Sequence, residues 1–367
     1  MIKLRKRLRL SKCLNEAIGT FPRKDNTMVS IKDVAKECGV SVSTVSKALN
    51  GHMDVSEAKK ELIRNKAKEM GYSPNSYAKA LKTNRSYSIG VLCIDEARNG
   101  LTHDFFSKVL NSFKVTVESY GYDITFIANN MNNPYARTYL ERCRYRGFDG
   151  VIIACVDFEE EQVRELMQSD IPIVVIDYTY NRTISVLSNN LQGMKELTQY
   201  AIDMGHTDIA YLYGEDSLVT SNRLSAFYIT MEENGIAVND AYVQEAKYRD
   251  MELAAQMTRG LLAMEKPPTC ILYPDDYSCY GGINAIRSMG LRIPEDISVA
   301  GYDGSDLSRQ LDPEVTTVAQ DTERMGSIAA EKLVSLIERP RTTLIEQIMV
   351  DATFCKGGTI GKPVKKS

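Results

Sequence analysis

The sequence lacks any long apolar run. No stretch of its 367 residues approaches the roughly 20 consecutive apolar residues that a membrane-spanning helix needs. The basic N-terminus, which carries Lys3, Arg5 and Arg7, is not followed by the apolar segment of a secretory signal. We therefore expect a chain that has no membrane partner and stays in the cytoplasm.

Patterns typical of metal sites and of common enzymes are also missing. The 3 histidines, His52, His103 and His206, lie far apart along the chain, so a histidine-rich metal site is not expected. The 8 cysteines are scattered and none belongs to a C-x-x-C pair, which favours buried thiols in a reducing compartment over disulfides or zinc. There is no P-loop, no G-x-S-x-G elbow and no G-x-G-x-x-G after a strand. We predict no metal, no cofactor and no enzymatic activity.

The chain as a whole carries no excess of positive charge. Its 45 Lys and Arg against 48 Asp and Glu give a net charge of -3. This average conceals an asymmetry, because basic residues outnumber acidic ones up to Arg85 and the remainder is acidic. A basic head on an acidic body fits one domain that touches phosphate and another with a different task. The length also predicts two or three domains, since it is too great for one ordinary core.

Residues 28–74 carry the pattern of three short helices that share one small core. Ser30, Ser41 and Ser56 precede the three helical patterns and can serve as N-cap residues. Gly71 follows the third pattern and can adopt the left-handed conformation that ends a helix. We therefore predict a small all-α head over this range.

Two segments flank the head. Residues 1–27 show little periodicity, and they are either a disordered basic tail or an artefact of a misassigned start, with Met28 as the true first residue. Residues 75–86 combine good helix formers with a polar stretch, which predicts a short helix followed by a linker.

The body has a different texture. Short β-branched runs such as Ile89–Ile94 and Val151–Val156 alternate with amphipathic stretches such as Phe105–Tyr120 and Leu191–Met204. This alternation predicts an α/β body of parallel sheets with helices on both faces, and the number of strands favours two doubly wound lobes. We place the body at 87–358, the first lobe at about 87–187 and 317–345, the second lobe at about 188–316 and 346–358, and a tail at 359–367.

Residues 31–50 read IKDVAKECGVSVSTVSKALN. This segment resembles the head of the LacI/GalR repressor family, whose pattern runs I-x-D-V-A, A-G-V-S and T-V-S-x-x-L-N. Every one of those positions is met except the first Ala of A-G-V-S, which is Cys38 here. The resemblance continues along the rest of the chain beyond residue 27. It implies a helix-turn-helix head, a hinge helix and a two-lobed body like that of periplasmic binding proteins.

A helix-turn-helix lays the N-terminal residues of its second helix against base edges in the major groove. We expect Lys47 to donate to guanine, Ser43 to donate or accept, and Val42 to touch a thymine methyl group. A solvated lysine is the alternative for Lys47, and a purely capping role is the alternative for Ser41. Short polar groups suited to phosphate oxygens are provided by Ser41, Thr44, Ser46 and Asn50.

The resemblance also assigns a role to the segment at residues 75–81. In this family the hinge helix orders in the minor groove and its leucine wedges between base pairs. Leu81 occupies that position here, with Ala78 beside it. An inserted apolar wedge unstacks the bases and bends the duplex. The alternative is that Leu81 packs against its own domain.

In the body, the resemblance rests on segments such as GHTDIA at 205–210 and GLRIPEDISVAGYD at 290–303. It implies a ligand site between the lobes, at the C-terminal ends of the strands, where open α/β sheets generally bind ligands. Carboxylates and a guanidinium that converge there suit a sugar, although a cap or an ion pair is the alternative for each acid. The candidate effector-binding residues are Phe105, Asp177, Arg223, Tyr273, Asp275 and Asp303.

Two departures from the family pattern fall near this site. Pro274-Asp275 replaces the family's Asn-Asp, and Asn189-Asn190 replaces its Asp-Asn. Both point to an unusual effector.

Taken together, these patterns predict a cytoplasmic, nucleoid-associated bacterial transcriptional regulator that acts as a repressor. We expect a homodimer on a pseudo-palindromic operator, controlled by a small molecule such as a sugar. A periplasmic sugar-binding or transport module is the alternative, and the attached helix-turn-helix stands against it.

Overall fold

The structure of the chain is a computed structural model. It describes residues 29–49, 51–72, 85–94, 100–127 and 137–363. The chain divides into two units, residues 1–84 and residues 85–367. The predicted N-terminal extension and the predicted hinge helix at 75–81 lie outside the described residues.

The described part of the first unit contains three helices, α1 at Ile31–Glu37, α2 at Val42–Leu49 and α3 at Glu57–Glu69. Helix α1 begins with a capping box, in which the backbone N–H of Ser30 donates to the Asp33 carboxylate at 2.8 Å and the Ser30 hydroxyl accepts from the Asp33 N–H. After α3, Gly71 adopts the left-handed conformation, with φ at 68°. The predicted local signals are therefore present at the start of α1 and after the end of α3.

The helices of this unit pack around a small apolar core. Val34 from α1, Val45 from α2 and Ile63 from α3 meet there with no exposed surface. Full burial of such side chains stabilises a fold by about 1.5–3 kcal/mol each relative to exposure. This core holds α2 in place and leaves its other face to solvent.

The second unit alternates strands and helices along the chain. Its elements in order are β1 Ser88–Cys93, α4 Asp104–Ser119, β2 Asp123–Phe126, α5 Tyr139–Arg146, β3 Gly150–Ala154, α6 Glu161–Met167, β4 Ile173–Ile176, β5 Ile184–Ser188, α7 Asn190–Asp203, β6 Ile209–Tyr213, α8 Leu218–Glu233, β7 Val243–Glu245, α9 Met251–Leu262, β8 Cys270–Leu272, α10 Asp276–Ser288, β9 Ser298–Ala300, β10 Thr317–Ala319, α11 Thr322–Glu338, β11 Gln347–Val350 and β12 Thr353–Cys355, with short 3₁₀ helices at Gly100–Thr102, Asp240–Tyr242 and Asp306–Arg309.

The first lobe is built on a parallel sheet with the strand order β11-β5-β4-β3-β1-β2. Successive residues of a strand face opposite sides of the sheet. Val91 accordingly packs with α4 and α11, and Leu92 packs with α5 and α6. Both faces are covered, which explains why the strands read as nearly continuous apolar runs.

The second lobe is built on a smaller parallel sheet with the order β7-β6-β8-β9. Ile271 packs on the face covered by α9 and α10, and Leu272 packs on the face covered by α7 and α8. The prediction of two doubly wound lobes is confirmed.

The chain crosses between the lobes at three places, after β5, after β10 and after β11. The predicted return to the second lobe at residue 346 comes too early, because β11 pairs with β5 and extends the first sheet. The predicted return to the first lobe at residue 317 is also early, because β10 pairs with β12 and Val318 packs in the core of the second lobe. Edge pairings of this kind depend on register, which local pattern does not specify.

No helix within the described ranges combines the length and the apolar character that a membrane crossing requires.

Candidate functional site

The exposed face of α2 is the first candidate site. Ser41 caps this helix, since its hydroxyl accepts from the backbone N–H of Thr44 at 3.1 Å, and it also lies 2.7 Å from the Ser43 hydroxyl. Val42 keeps 40% of its surface exposed, and Ser43 and Lys47 are exposed too. An apolar methyl pair, a hydroxyl and an ammonium thus lie on the solvent side of one short helix.

The Lys47 ammonium is engaged within the head. Its Nζ donates to the Asp54 carboxylate in an ion pair whose two side chains are about half exposed. The hydrogen bond from Lys47 holds the pKa of Asp54 below its usual value. Lys47 is therefore restrained at the surface, and a partner that recruits it has to share or displace Asp54.

The other predicted DNA-contacting residues are less exposed or lie outside the described residues. Thr44 and Ser46 are half-buried on α2. Asn50, Ala78 and Leu81 lie outside the described residues.

The second candidate site is a cavity of about 660 Å³ between the two lobes. Its lining comes from the loops that follow β1, β3 and β4 in the first lobe and from the corresponding ends of β6, β8 and β9 in the second. Five of the six predicted effector residues line it, namely Phe105, Asp177, Arg223, Asp275 and Asp303.

Tyr273 does not line this cavity, and its prediction as a wall residue is wrong. The side chain is 1% exposed and lies in the apolar core of the second lobe, where its hydroxyl bonds to the Thr258 hydroxyl at 2.7 Å. Tyr273 continues the alternation of β8, so it shares a face with Ile271 and points toward α9.

Arg223 is fixed in place by four groups of the second lobe. Its Nε donates to Asn190 Oδ1 at 2.7 Å, and its Nη1 donates to the carbonyl oxygen of Pro274 at 2.8 Å. The guanidinium stacks on the Tyr302 ring at 3.6 Å from its centroid, and Nη2 lies 3.7 Å from Asp303 Oδ1. The charge of Arg223 is therefore buried at the cavity wall but internally paired.

Asp177 and Asp303 present carboxylates from opposite lobes. Asp177 Oδ1 accepts from the backbone N–H of Ser188 at 2.7 Å, and Asp303 Oδ1 accepts from Gln320 Nε2 at 2.6 Å. Burial raises the pKa of each carboxyl to about 6. Both groups are thus ionised at neutral pH at a cost that a bound partner can offset.

Asp275 has a different environment. It caps α10, where Oδ1 accepts from the backbone N–H of Ser278 at 2.8 Å and Oδ2 accepts from the backbone N–H of Arg249 at 2.7 Å. Its burial raises the pKa of its carboxyl. Asp275 consequently positions Arg249, and its own oxygens face the protein.

Several cavity residues were not anticipated from the sequence. Phe158 and Tyr178 form a parallel stack with centroids 3.9 Å apart. Arg249 stacks on Tyr277 and donates from Nη2 to the carbonyl oxygen of Thr102, which belongs to the other lobe, at 3.3 Å. Their positions in the sequence could have indicated a place at the cavity, because Phe158 comes after β3, and Tyr178 comes after β4 and directly after Asp177.

Backbone strain is concentrated around the cavity. Cys155, Asp177, Arg249 and Asp303 all line it, and they have positive φ angles of 52°, 54°, 60° and 96°. Such conformations cost about 1–3 kcal/mol each for non-glycine residues and cluster at ligand sites. In the described part of the chain, no group of three or more His, Cys, Asp or Glu is arranged to hold a metal ion.

Comparisons with known proteins agree with this geometry. The family described as "Bacterial regulatory proteins, lacI family" matches residues 30–75, and the "Periplasmic binding protein-like domain" matches residues 198–360. The probable HTH-type transcriptional repressor ExuR of Bacillus subtilis (strain 168) is 33% identical over 330 residues, which cover 89% of this chain and 97% of that protein.

Two solved structures share the fold. The lac repressor dimer bound to operator and the anti-inducer ONPF has a TM-score of 0.77 at 24% identity, covering 91% of this chain and 100% of that one. The transcriptional regulator CelR in complex with cellobiose has a TM-score of 0.66 at 22% identity, covering 90% of this chain and 99% of that one.

Proposed function

Because this chain belongs to the lacI family of bacterial regulatory proteins, we propose that it is a transcriptional repressor whose affinity for operator DNA is set by a small molecule in the interlobe cavity. The observation that carries this proposal is the presence, in one chain, of an exposed polar recognition helix and a ligand-sized cavity lined by converging charges. A transport module alone explains the cavity but not the recognition helix.

The DNA contacts follow from the exposed face of α2. Lys47 donates to a guanine, Ser43 reads a neighbouring base edge, and Val42 touches a thymine methyl group. Phosphate contacts come from the hydroxyls around the start of the helix and from Asn50. Two heads of a homodimer read the two halves of a pseudo-palindromic operator. Leu81, with Ala78 beside it, wedges into the minor groove at the centre of the operator.

The effector fits the description of a sugar. Related structures include a regulator that holds cellobiose and a lac repressor that holds an anti-inducer. In this chain, Asp177 and Asp303 offer acceptors for hydroxyl groups, and Phe105 together with the Phe158–Tyr178 stack offers apolar surface for ring faces.

Control of DNA binding comes from the lobes. A ligand that contacts both sides of the cavity favours one relative orientation of the lobes, and the dimer transmits that preference to the operator. Coupling of this kind typically amounts to about 1–3 kcal/mol. The protein works in the bacterial cytoplasm and does not turn over its ligand.

The direct test is selection of DNA from a random duplex library by the purified full-length chain. We expect enrichment of a pseudo-palindromic sequence whose half-sites are bound by two protomers. A selection that enriches no sequence, carried out with protein shown to be folded by circular dichroism, would contradict the proposed function.

A further inference from the structure

The lining of the interlobe cavity is strongly acidic. Among the residues that the structure describes, the lining contains seven carboxylates and two guanidinium groups, and no lysine. In its inner part, the described residues Asp177, Asp275 and Asp303 face Arg223 and Arg249, so this set is one positive charge short of balance. Buried charges are costly unless they are paired, which makes this imbalance informative about the ligand. The other four acids are Asp157, Glu159, Glu215 and Asp216.

Both guanidinium groups of the cavity are partly engaged within the protein. A ligand carboxylate is best bound by two parallel N–H groups of one arginine. Arg223 already directs Nε to Asn190 and Nη1 to the carbonyl oxygen of Pro274. Arg249 directs Nη2 to the carbonyl oxygen of Thr102. Each guanidinium thus has N–H groups committed to the protein, and the buried Nε of Arg249 has no protein acceptor and can donate to a hydroxyl oxygen.

Hydrogen-bond acceptors of the cavity lining, by contrast, remain available to a ligand. Asp177 and Asp303 each use one oxygen in a hydrogen bond from the protein. Gln320 is 8% exposed and lines the same cavity, and its Oε1 is buried without a protein donor. An ammonium group has three N–H donors and no acceptor, so it complements a set of this kind.

We propose that the effector is an amino sugar, a sugar ring that carries a protonated amine. The proposal rests on the proposed function, since it takes this cavity to be the effector site. The amine supplies the missing positive charge beside Asp177 and Asp303, and the ring lies against the aromatic walls. Glu215 and Asp216 at the exposed rim attract the cation as it approaches. A uronic acid of the same ring is repelled by the same groups.

The test compares matched sugars on the purified full-length chain by calorimetry at neutral pH. The probes are the amino sugar, the neutral sugar and the uronic acid in the gluco, galacto and manno series. We expect at least one amino sugar to bind about tenfold or more tightly than its neutral counterpart, with no binding of the uronic acids. Preference for a neutral sugar or a uronic acid overturns the proposal, and so does the absence of binding by every amine.

Two variants test which carboxylates recognise the amine. Asp177→Asn and Asp303→Asn keep the shape and one acceptor oxygen, and each is expected to weaken amino sugar binding by about 30-fold or more, a larger loss than for the matched neutral sugar. The control is Asp170→Asn, because Asp170 has a side chain that is 87% exposed and lies outside the cavity lining. Unchanged amine affinity in both cavity variants overturns the proposal.

The DNA selection described above is run without ligand, so the two proposals fail separately. If the protein selects an operator but shows no preference for an amine, only the proposal of an amino sugar effector is rejected. If it binds the amine but selects no DNA sequence, the proposed regulatory function is rejected.

Discussion

Lys108 of the first lobe and Asp306 of the second form an ion pair that bridges the lobes, with Nζ and Oδ1 3.1 Å apart. Lys108 also pairs with Asp104 on its own helix at 3.1 Å. A second bridge joins Arg249 to the carbonyl oxygen of Thr102. These contacts favour the relative orientation of the lobes in this structure, and they are built from surface groups that can separate.

Removing the first bridge is expected to favour separation of the lobes. The side chains of Lys108 and Asp306 are 35% and 77% exposed, so the pair contributes about 0.2–1 kcal/mol. Asp306→Asn should weaken effector binding by up to about fivefold and reduce its dependence on salt, measured by calorimetry at two ionic strengths. The matched control is Glu118→Gln, which removes an ion pair with Lys114 within the same helix. Equal effects of the two variants contradict the bridging role.

Lys47→Ala is expected to lose discrimination at one base pair of each half-site by about 1–3 kcal/mol. The measurement is competition anisotropy with duplexes that differ at single positions. The companion variant Asp54→Asn releases Lys47 from its ion pair and should retain that discrimination. If Lys47→Ala weakens all duplexes equally, Lys47 contacts only phosphate.

Arg223→Ala is expected to destabilise the body by about 3–5 kcal/mol, because it leaves Asn190 Oδ1 without its donor and Asp303 without its nearby cation. Urea unfolding measures this loss. The double variant Arg223→Ala with Asp303→Asn should be less destabilised than the sum of the two single variants. Strict additivity would show that the two charges do not interact.

Asp177→Asn should raise the melting temperature of the ligand-free protein at pH 7.5 by a few degrees. Burial raises the pKa of Asp177 from 3.8 to about 6, so the ionised form opposes folding. This destabilisation is absent below the unfolded pKa of 3.8, grows as pH rises toward about 6, and is fully present above it. Asn keeps the bond from Ser188 without the charge.

Scanning calorimetry of the wild type and Asp177→Asn at pH 7.5 and near pH 3.8 checks the sign. A lower melting temperature of the variant at pH 7.5, or an equal gain at both pH values, contradicts the assignment.

The parts of the fold that local chemistry determines could be predicted from the sequence. Ser30 and Ser41 cap helices by bonding to backbone groups three residues away, and Gly71 ends a helix because it adopts a positive φ without strain. The alternation of strand and helix patterns likewise identified two parallel α/β lobes. Ser56 stands at the start of α3 as predicted, but its side chain makes no capping bond.

The rest depends on contacts between distant residues. The side chains of β8 alternate between the two faces of the sheet, but the sequence does not say which face α9 covers, so the burial of Tyr273 could not be predicted. The position of β11 in the first sheet likewise depends on its pairing with β5. The Phe158–Tyr178 stack joins loops after two different strands. The pairing of Arg223 with the Pro274 carbonyl cannot be inferred from side-chain identities, since any residue at 274 has a carbonyl oxygen.

Control of DNA binding by a ligand in the interlobe cavity can be measured in one titration. The affinity of the full-length chain for its selected operator duplex is measured by fluorescence anisotropy, with and without a saturating amount of the sugar that binds it best. We expect the ligand to change the dissociation constant by about 5- to 150-fold. An identical dissociation constant in both conditions, with ligand occupancy verified by calorimetry, would contradict it.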